Sequence, residues 1–312
     1  MNALEVLQQH SHIVADTGDL NEIKHWLPEE ATTNPTLILK VFQKNEADKL
    51  IKEAQTLCTN PNVPEQVAKA CAVIVAQKIS SIISGRISVE IDAHLSFNTP
   101  AMVEEAQMLI QLIKQAGINP QKILIKIAST WEGIQAARIL EKQGIHCNCT
   151  LIFSSIQALA CAQANVTLIS PFVGRIYDWY KQHDLWQPGM TDPGVESVKT
   201  IYQLLKSQNY STEIMGASFR NVEEILALAG CDRLTIAPKF LQQLSDMDQS
   251  SSLQPLSTPA YSAKQSEISE AEFRWAVNEN PMVTEKLSEG IRLFARDGDT
   301  LVQTIRTYLQ KL

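Results

Sequence analysis

The chain has 312 residues (34.7 kDa), 45% hydrophobic and 20% charged, the balance of an ordinary globular protein with a substantial core. A net charge of -7 and a pI near 5.5 leave no electrostatic footprint for nucleic acid, and no apolar stretch approaches a membrane span. Met1-Asn2-Ala3-Leu4-Glu5 lacks the basic and apolar regions of a signal peptide, so a cytoplasmic protein is expected. Cysteines 58, 71, 147, 149, 161 and 231 sit mostly in apolar segments, as free core thiols in a reducing compartment do. Cys147-x-Cys149 has the wrong spacing for a redox pair, and both thiols would share one strand face as packing residues.

Residues 2–9 read as an amphipathic helix and 13–17 as a strand ending near Asp16. Gly18-Asp19 then opens a helix to about Trp26. A short strand over 31–35 is stopped by Pro35, which starts a long helical stretch to about Leu57. After the turn Asn60-Pro61-Asn62, Pro64 begins a helix to about Ile83. A strand at 87–92 precedes a helix opened by Pro100 and closed by Gly117. The alternation continues with a strand over 123–128, a helix over 131–143, a strand over 147–153, a helix over 155–164 and a strand over 167–173. A loop containing Pro188-Gly189 and Pro193-Gly194 leads to a helix over 195–208. Strand 212–218, helix 221–229, strand 233–237 and a short helix from Pro238 follow.

Eight strand–helix units in about 240 residues are close to the size of a closed (β/α)8 TIM barrel, since parallel strands need crossovers and helices supply them. A doubly wound open sheet is the alternative, but no G-x-G-x-x-G follows any strand. The Ser-, Gln- and Pro-rich residues 245–267, with Ser250-Ser251-Ser252, read as a long irregular loop, mobile or draped over the barrel. Beyond it, Ser269 and Glu272 have capping-box spacing, and Val283, Leu287, Ile291 and Phe294 make a helical stripe. The expectation is one domain over 1–312, with the helices of about 269–312 packed on the barrel.

Ile123-Leu124-Ile125-Lys126-Ile127-Ala128 reads as a strand buried on both faces, with Lys126 at its middle. On an edge strand that lysine would snorkel to water. On a central strand it would be a desolvated amine held as a nucleophile, because burial disfavours the ammonium form. Its neighbours favour the second reading. Asp16, Asn34, Glu90, Lys126, Asn148, Thr150, Ser170 and Ser218 all lie in or at the end of otherwise apolar strands. Parity groups Asn148 with Thr150, and Ser88 and Glu90 with Asp92, so two or three carboxylates would face one lysine. Such a set is expensive as decoration, because unpaired buried charge is strongly unfavourable. A lysine amine can attack a carbonyl, form an iminium and stabilise a carbanion as an enamine, with carboxylates moving the protons. Arg175 and Arg220, just beyond strand ends, suit an anionic substrate end.

At these residues the chain resembles the transaldolase family. The matching segments are Ala15-Asp16-Thr17-Gly18-Asp19, Ala31-Thr32-Thr33-Asn34-Pro35, Gly85 to Asp92, Ile123 to Trp131, Asn148-Cys149-Thr150-Leu151, Ile169 to Arg175 and Gly216 to Asn221. The resemblance runs from about Val14 to the C-terminal helices. It implies transfer of a dihydroxyacetone unit from sedoheptulose 7-phosphate to glyceraldehyde 3-phosphate, giving erythrose 4-phosphate and fructose 6-phosphate, in the pentose phosphate pathway. No cofactor is implied, and homodimers are common in the family. It implies that Lys126 forms the Schiff base and that Asp16 exchanges the proton of the C4 hydroxyl. Glu90 and Thr150 would act through a shared water on the carbinolamine. Asn34, Asn148 and Ser170 would hold donor hydroxyls, and Arg175, Ser218 and Arg220 the phosphate. Residues 181–192 and 245–267 depart from the best-known members.

Three competing readings remain. A fructose 6-phosphate aldolase of the same superfamily releases free dihydroxyacetone and uses a tyrosine as proton source, where this chain has Phe172, inward by parity with Ser170 and Leu168. A metal-dependent aldolase would need ligand spacing that histidines 10, 12, 25, 94, 146 and 183 do not offer. An idle sugar-phosphate-binding barrel would show a broken lysine or carboxylate position, and none is broken.

Overall fold

Apolar runs bounded by turn residues become strands here, and the amphipathic runs between them fold back as helices. The computed structural model of the chain describes residues 1–42, 47–248 and 253–311. Its strands are β1 (His12–Asp16), β2 (Glu30–Thr32), β3 (Ile87–Glu90), β4 (Ile123–Ala128), β5 (Cys147–Ile152), β6 (Leu168–Pro171), β7 (Glu213–Gly216) and β8 (Arg233–Ile236). Each pairs in parallel with its sequence neighbours, and β1 pairs with β8. The sheet is therefore a closed (β/α)8 barrel without an edge. The edge-strand reading of Lys126 falls with that closure, since β4 lies between β3 and β5.

Helix α1 (Ala3–Gln8) precedes the barrel and α2 (Leu20–Trp26) follows β1. Three helices, α3 (Pro35–Val41), α4 (Ala47–Gln55) and α5 (Pro64–Ser80), separate β2 from β3. Then come α6 (Thr99–Gln115), α7 (Trp131–Lys142) and α8 (Ser155–Gln163), one after each of β3, β4 and β5. After β6 lie α9 (Gly174–Gln182) and α10 (Pro193–Ser207), after β7 α11 (Val222–Leu226), and after β8 α12 (Pro238–Asp246). Two closing helices, α13 (Glu270–Glu279) and α14 (Pro281–Leu309), complete the chain. The Ser269–Glu272 capping box forms, and Val283, Leu287, Ile291 and Phe294 are all buried. Helix α14 packs against α3, α5 and α9, which lays it across the barrel mouth.

Several boundaries differ from the sequence reading. The expected strand over 167–173 ends at Pro171, and Gly174 starts a helix where a loop was expected; Ile176 and Trp179, one turn apart, are its buried face. Pro193-Gly194 belongs to α10, capped by Asp192, rather than to a loop. Of the long helical stretch expected from Pro35, α3 and α4 are described, and residues 43–46 between them lie outside the described residues. Ser250-Ser251-Ser252 also lie outside them, but residues 253–268 drape along the barrel. Leu256 N–H donates to the Ala229 carbonyl at 2.7 Å, and Gln163 Nε2 to the Ser266 carbonyl at 2.8 Å.

The barrel interior is layered. At the N-terminal edge Glu30 accepts from Arg86 Nε at 2.7 Å and Arg233 Nε at 2.8 Å, and Glu213 takes a second nitrogen of each arginine at 2.6 and 2.9 Å. Above them Val14, Leu124, Leu168 and Met215 form a separate apolar cluster. The polar strand residues lie above that. On the outer face Cys147 and Cys149 join Ile125 and Ile127 in the main core, as packing residues; all six cysteines are free.

The four-charge ring at the barrel floor escapes a reading by motif, and it yields a stability prediction. Burial alone would raise the Glu30 carboxyl, but Arg86 and Arg233 hold it below the ordinary range. Glu30→Ala leaves Arg86 and Arg233 sharing Glu213 alone and should cost about 2–4 kcal/mol by urea unfolding, with activity retained at temperatures where the variant stays folded. Because the folded pKa is depressed, this contribution is complete above about pH 4.5 and fades as acid protonates the folded carboxylate. A difference from wild type that is constant between about pH 3 and pH 7 would contradict that origin.

Candidate active site

Lys126 reaches the layer above the apolar floor because Leu124, two residues earlier on the same face, fills that floor. Its Nζ donates to Glu90 Oε2 at 3.2 Å, and both side chains are under a tenth exposed. Register places them side by side, Glu90 opposite Lys126 on β3 and β4. Asp16, at the end of β1, accepts from the Thr32 hydroxyl at 3.2 Å, and Thr32 also bonds to Thr235. Burial pushes Asp16 above the usual carboxylate range, while Lys126, Thr32 and Lys40 pull it part of the way back. Burial likewise raises Glu90, against the pull of Lys126 and Arg175 and with a push from Asp297. Two carboxylates therefore flank one amine. Asp92 does not join them: it is about two-fifths exposed and bonds to His94 outside the barrel.

A cavity of about 100 Å³ is lined by Asp16, Asn34, Lys126, Thr150, Ser170, Phe172, Arg175 and Ser218, together with Thr32, Thr235 and Phe294. Eight of the eleven expected site residues thus meet at one place. Of the others, Glu90 touches Lys126. Asn148 lies beneath, donating to Ser88 Oγ at 3.0 Å and accepting from Ser170 Oγ at 2.6 Å. Arg220 stands at the rim, held by Asp178 Oδ2 at 2.7 and 2.9 Å. Asn34 uses its side-chain oxygen to cap α3 at Leu37 N–H, 2.9 Å, so only its amide nitrogen is left for a ligand. A larger cleft of about 570 Å³ shares Asn34, Glu90 and Phe294, and one of about 700 Å³ shares Asp16.

Two polar atoms in this cavity are unmet. Thr150 Oγ1 and Arg175 Nη1 are buried with no hydrogen-bond partner. Buried polar groups are nearly always paired, so orphans at the lining of a cavity mark places for a ligand or water. The Arg175 guanidinium lies 5.0 Å from the Phe172 ring centroid and 5.6 Å from that of Phe294. Burial and the neighbouring Arg220 push it below the ordinary arginine range.

Backbone detail sets this geometry. Leu151 has φ of +59°, and the β5–β6 register slips between Thr150 and Ile152. That bulge turns Leu151 toward α14, where a Cβ at Gly290 would lie 2.6 Å from its side chain. At the other wall Gly174 N–H donates to the Ser218 carbonyl at 2.8 Å. A Cβ on Gly174 would sit 2.5 Å from that oxygen, so only glycine lets α9 bring Arg175 beside the Ser218–Arg220 turn.

Residues 13–305 match the family described as Transaldolase/Fructose-6-phosphate aldolase. The chain belongs to this family. It is 49% identical to "Transaldolase" of Alteromonas mediterranea over 99% of both chains, and 50% identical to "Transaldolase" of Shewanella piezotolerans, also over 99% of both. It is 48% identical to "Transaldolase A" of Escherichia coli K12, over 95% of this chain and 96% of that one. The protein is accordingly an enzyme, a transferase of the transaldolase type. No helix among the described residues is long and apolar enough to cross a membrane. Among them, no group of three or more His, Cys, Asp or Glu is placed to hold a metal ion.

Sequence reasoning passed over Thr32, Thr235, Asp178 and Phe294. Thr32 and Thr235 were within reach of parity, since each is an inward hydroxyl in an apolar strand. Asp178 lies on the unexpected α9. Phe294 reads from sequence only as part of a stripe, yet its ring lies 5.3 Å from Lys126 Nζ.

Proposed function

We propose that the chain carries a dihydroxyacetone unit on Lys126 from sedoheptulose 7-phosphate to glyceraldehyde 3-phosphate, releasing erythrose 4-phosphate and forming fructose 6-phosphate. The observation that carries this reading is one amine between two burial-raised carboxylates, with an unmet arginine in the same cavity. The amine attacks the donor ketone, and Glu90, with a water held at the orphaned Thr150 hydroxyl, moves protons so that the carbinolamine loses water. Asp16 takes the C4 hydroxyl proton, the C3–C4 bond breaks, and its electrons pass into the iminium to give an enamine. The first aldehyde leaves, the second enters, and the steps reverse.

Asn34, Asn148 and Ser170 hold hydroxyls of the donor; Arg175, Ser218 and Arg220 take the phosphate, for which a guanidinium fork is suited. The barrel and its closing helices act as one domain, since Phe294 of α14 lines the same cavity as the strand residues. A reducing, cytoplasmic setting fits the six unpaired cysteines. The test is to mix sedoheptulose 7-phosphate with glyceraldehyde 3-phosphate and follow both products. Formation of fructose 6-phosphate matched by erythrose 4-phosphate is expected. Release of free dihydroxyacetone without transfer would instead assign the aldolase reaction.

Transfer rather than release rests on Phe172. The enamine persists only if no proton reaches its carbon before the acceptor arrives. Phe172 offers none, and its ring, packed 5.7 Å from Phe153, shields the enamine carbon from bulk water, leaving the water at Thr150 for the carbinolamine. Phe172→Tyr should gain release of free dihydroxyacetone from fructose 6-phosphate while losing transfer. If Phe172 only packs, the new hydroxyl would lower stability by roughly 1–3 kcal/mol with no new release, and the gating role would be rejected.

A further inference from the structure

Behind Arg220 sits a carboxyl group that the reaction does not use. Glu224, on α11, is 2% exposed. Its Oε2 accepts from the Arg220 backbone N–H at 2.7 Å, and its own N–H is capped by Asn221. Its other oxygen, Oε1, is buried and finds no donor. Asp192 is near enough to raise the Glu224 carboxyl, and its Oδ1 is committed to the start of α10, accepting from Gly194 and Val195 N–H at 2.8 and 3.0 Å. Two ionised carboxylates cannot bond to each other. With one proton on Glu224, Oε1 donates to Asp192 and the orphan is satisfied.

The turn held by this latch is strained. Ser218 has φ of +62°, a region that non-glycine residues seldom adopt and that persists only where surrounding bonds over-determine it. Those bonds are Gly174 N–H and Arg220 Nη1 to the Ser218 carbonyl, at 2.8 and 3.3 Å, and Glu224 to Arg220 N–H.

We propose that Glu224 is a positioning residue for phosphate recognition, locking the Ser218–Arg220 turn through its proton shared with Asp192 while adding no negative charge behind a dianion site. This rests on the reading of Arg220 as a phosphate ligand. Burial first, and then Asp192, push the Glu224 carboxyl up to about 7, while the Arg220 N–H and guanidinium pull it down. Asp178, paired with Arg220, is a further carboxylate at this corner, and Glu289 acts on the neighbouring Arg175. Above neutrality the proton is lost, the two carboxylates repel, and a negative charge stands behind Arg220.

The test is the pH dependence of KM and kcat for a phosphorylated donor and for its unphosphorylated counterpart. For wild type, KM of the phosphorylated donor should rise several-fold, up to about tenfold, between about pH 6 and pH 8.5, while kcat follows the same pH profile for both donors. Glu224→Gln keeps an acceptor for Arg220 and gains an amide donor for Asp192, so its KM should stay at the low-pH value throughout. Asp192→Asn still caps α10 and can donate to an ionised Glu224, so its rise should move to lower pH. The phosphate's own titration is common to all three proteins and cancels in the comparison. A Glu224→Gln protein with the wild-type KM profile would overturn the proposal. Arg220→Ala separates the two claims: if its KM for phosphorylated donors is unchanged, the phosphate reading itself fails, whatever Glu224 does.

Discussion

Lys126→Met should abolish transfer, lowering kcat on the order of 10⁴-fold or more, because without the amine no iminium forms and the carbanion has no sink. Lys126→Arg should be equally inactive although it keeps a positive charge, since guanidinium is not a nucleophile at neutral pH. The pair separates a chemical role from an electrostatic one. The Met variant should also lose stability in a particular pH range. Asp16 and Glu90 are raised by burial and pulled down by Lys126, so removing it raises them further. A raised carboxyl lends its stability below its ordinary pKa and loses it as pH rises through the folded value. The stability gap to wild type should therefore widen from acid toward neutral pH, read as thermal midpoints. A Met variant that retains transfer would remove the basis of the mechanism.

Arg175→Ala should weaken phosphorylated substrates by roughly 2–4 kcal/mol, about 30- to 1,000-fold in kcat/KM, the scale of losing a charge-assisted contact. Unphosphorylated donors should change little. The structure adds a stability signature to this prediction. Arg175 Nη1 is buried without a partner and the group is desolvated, so the folded chain gains no hydrogen bond from that nitrogen. What Ala removes from the fold is the contact with the Phe172 and Phe294 rings and the attraction to Glu289, Glu90 and Asp178, offset by relief of a desolvated charge. The thermal midpoint should thus stay close to wild type while phosphate selectivity collapses. Equal losses for both kinds of donor, or a large fall in midpoint, would mark Arg175 as structural.

The barrel and the convergence of most candidate site residues were legible because two periodicities carry them. Strands buried on both faces read as short apolar runs, and a single polar residue inside such a run is conspicuous; Lys126, Asn148 and Ser170 stand out in this way. Parity puts Leu124 and Lys126 on one face of the strand, and the structure assigns Leu124 to the floor below Lys126. What sequence hid depends on local backbone. The slip at Leu151 and the positive φ of Ser218 change direction at residues whose types give no turn signal. Helix α9 was missed because Pro171-Phe172-Val173 reads as one apolar strand run, whereas β6 ends at Pro171 and only an isolated bridge from Phe172 to Ala217 continues it before Gly174 turns into helix. Asp178 was lost with it. Long-range placement was also out of reach: nothing in the stripe of α14 says that Phe294 lies over Lys126, or that Arg86 and Arg233 meet two glutamates beneath the floor.

The central claim is a covalent bond between Lys126 and the donor ketone, and reductive trapping tests it most directly. Borohydride is added to the enzyme with fructose 6-phosphate, and the digested protein is mapped by mass spectrometry. A reduced three-carbon adduct on the peptide containing Lys126, absent without fructose 6-phosphate, is the expected result. An adduct on any other lysine, or none while transfer proceeds, would contradict the account.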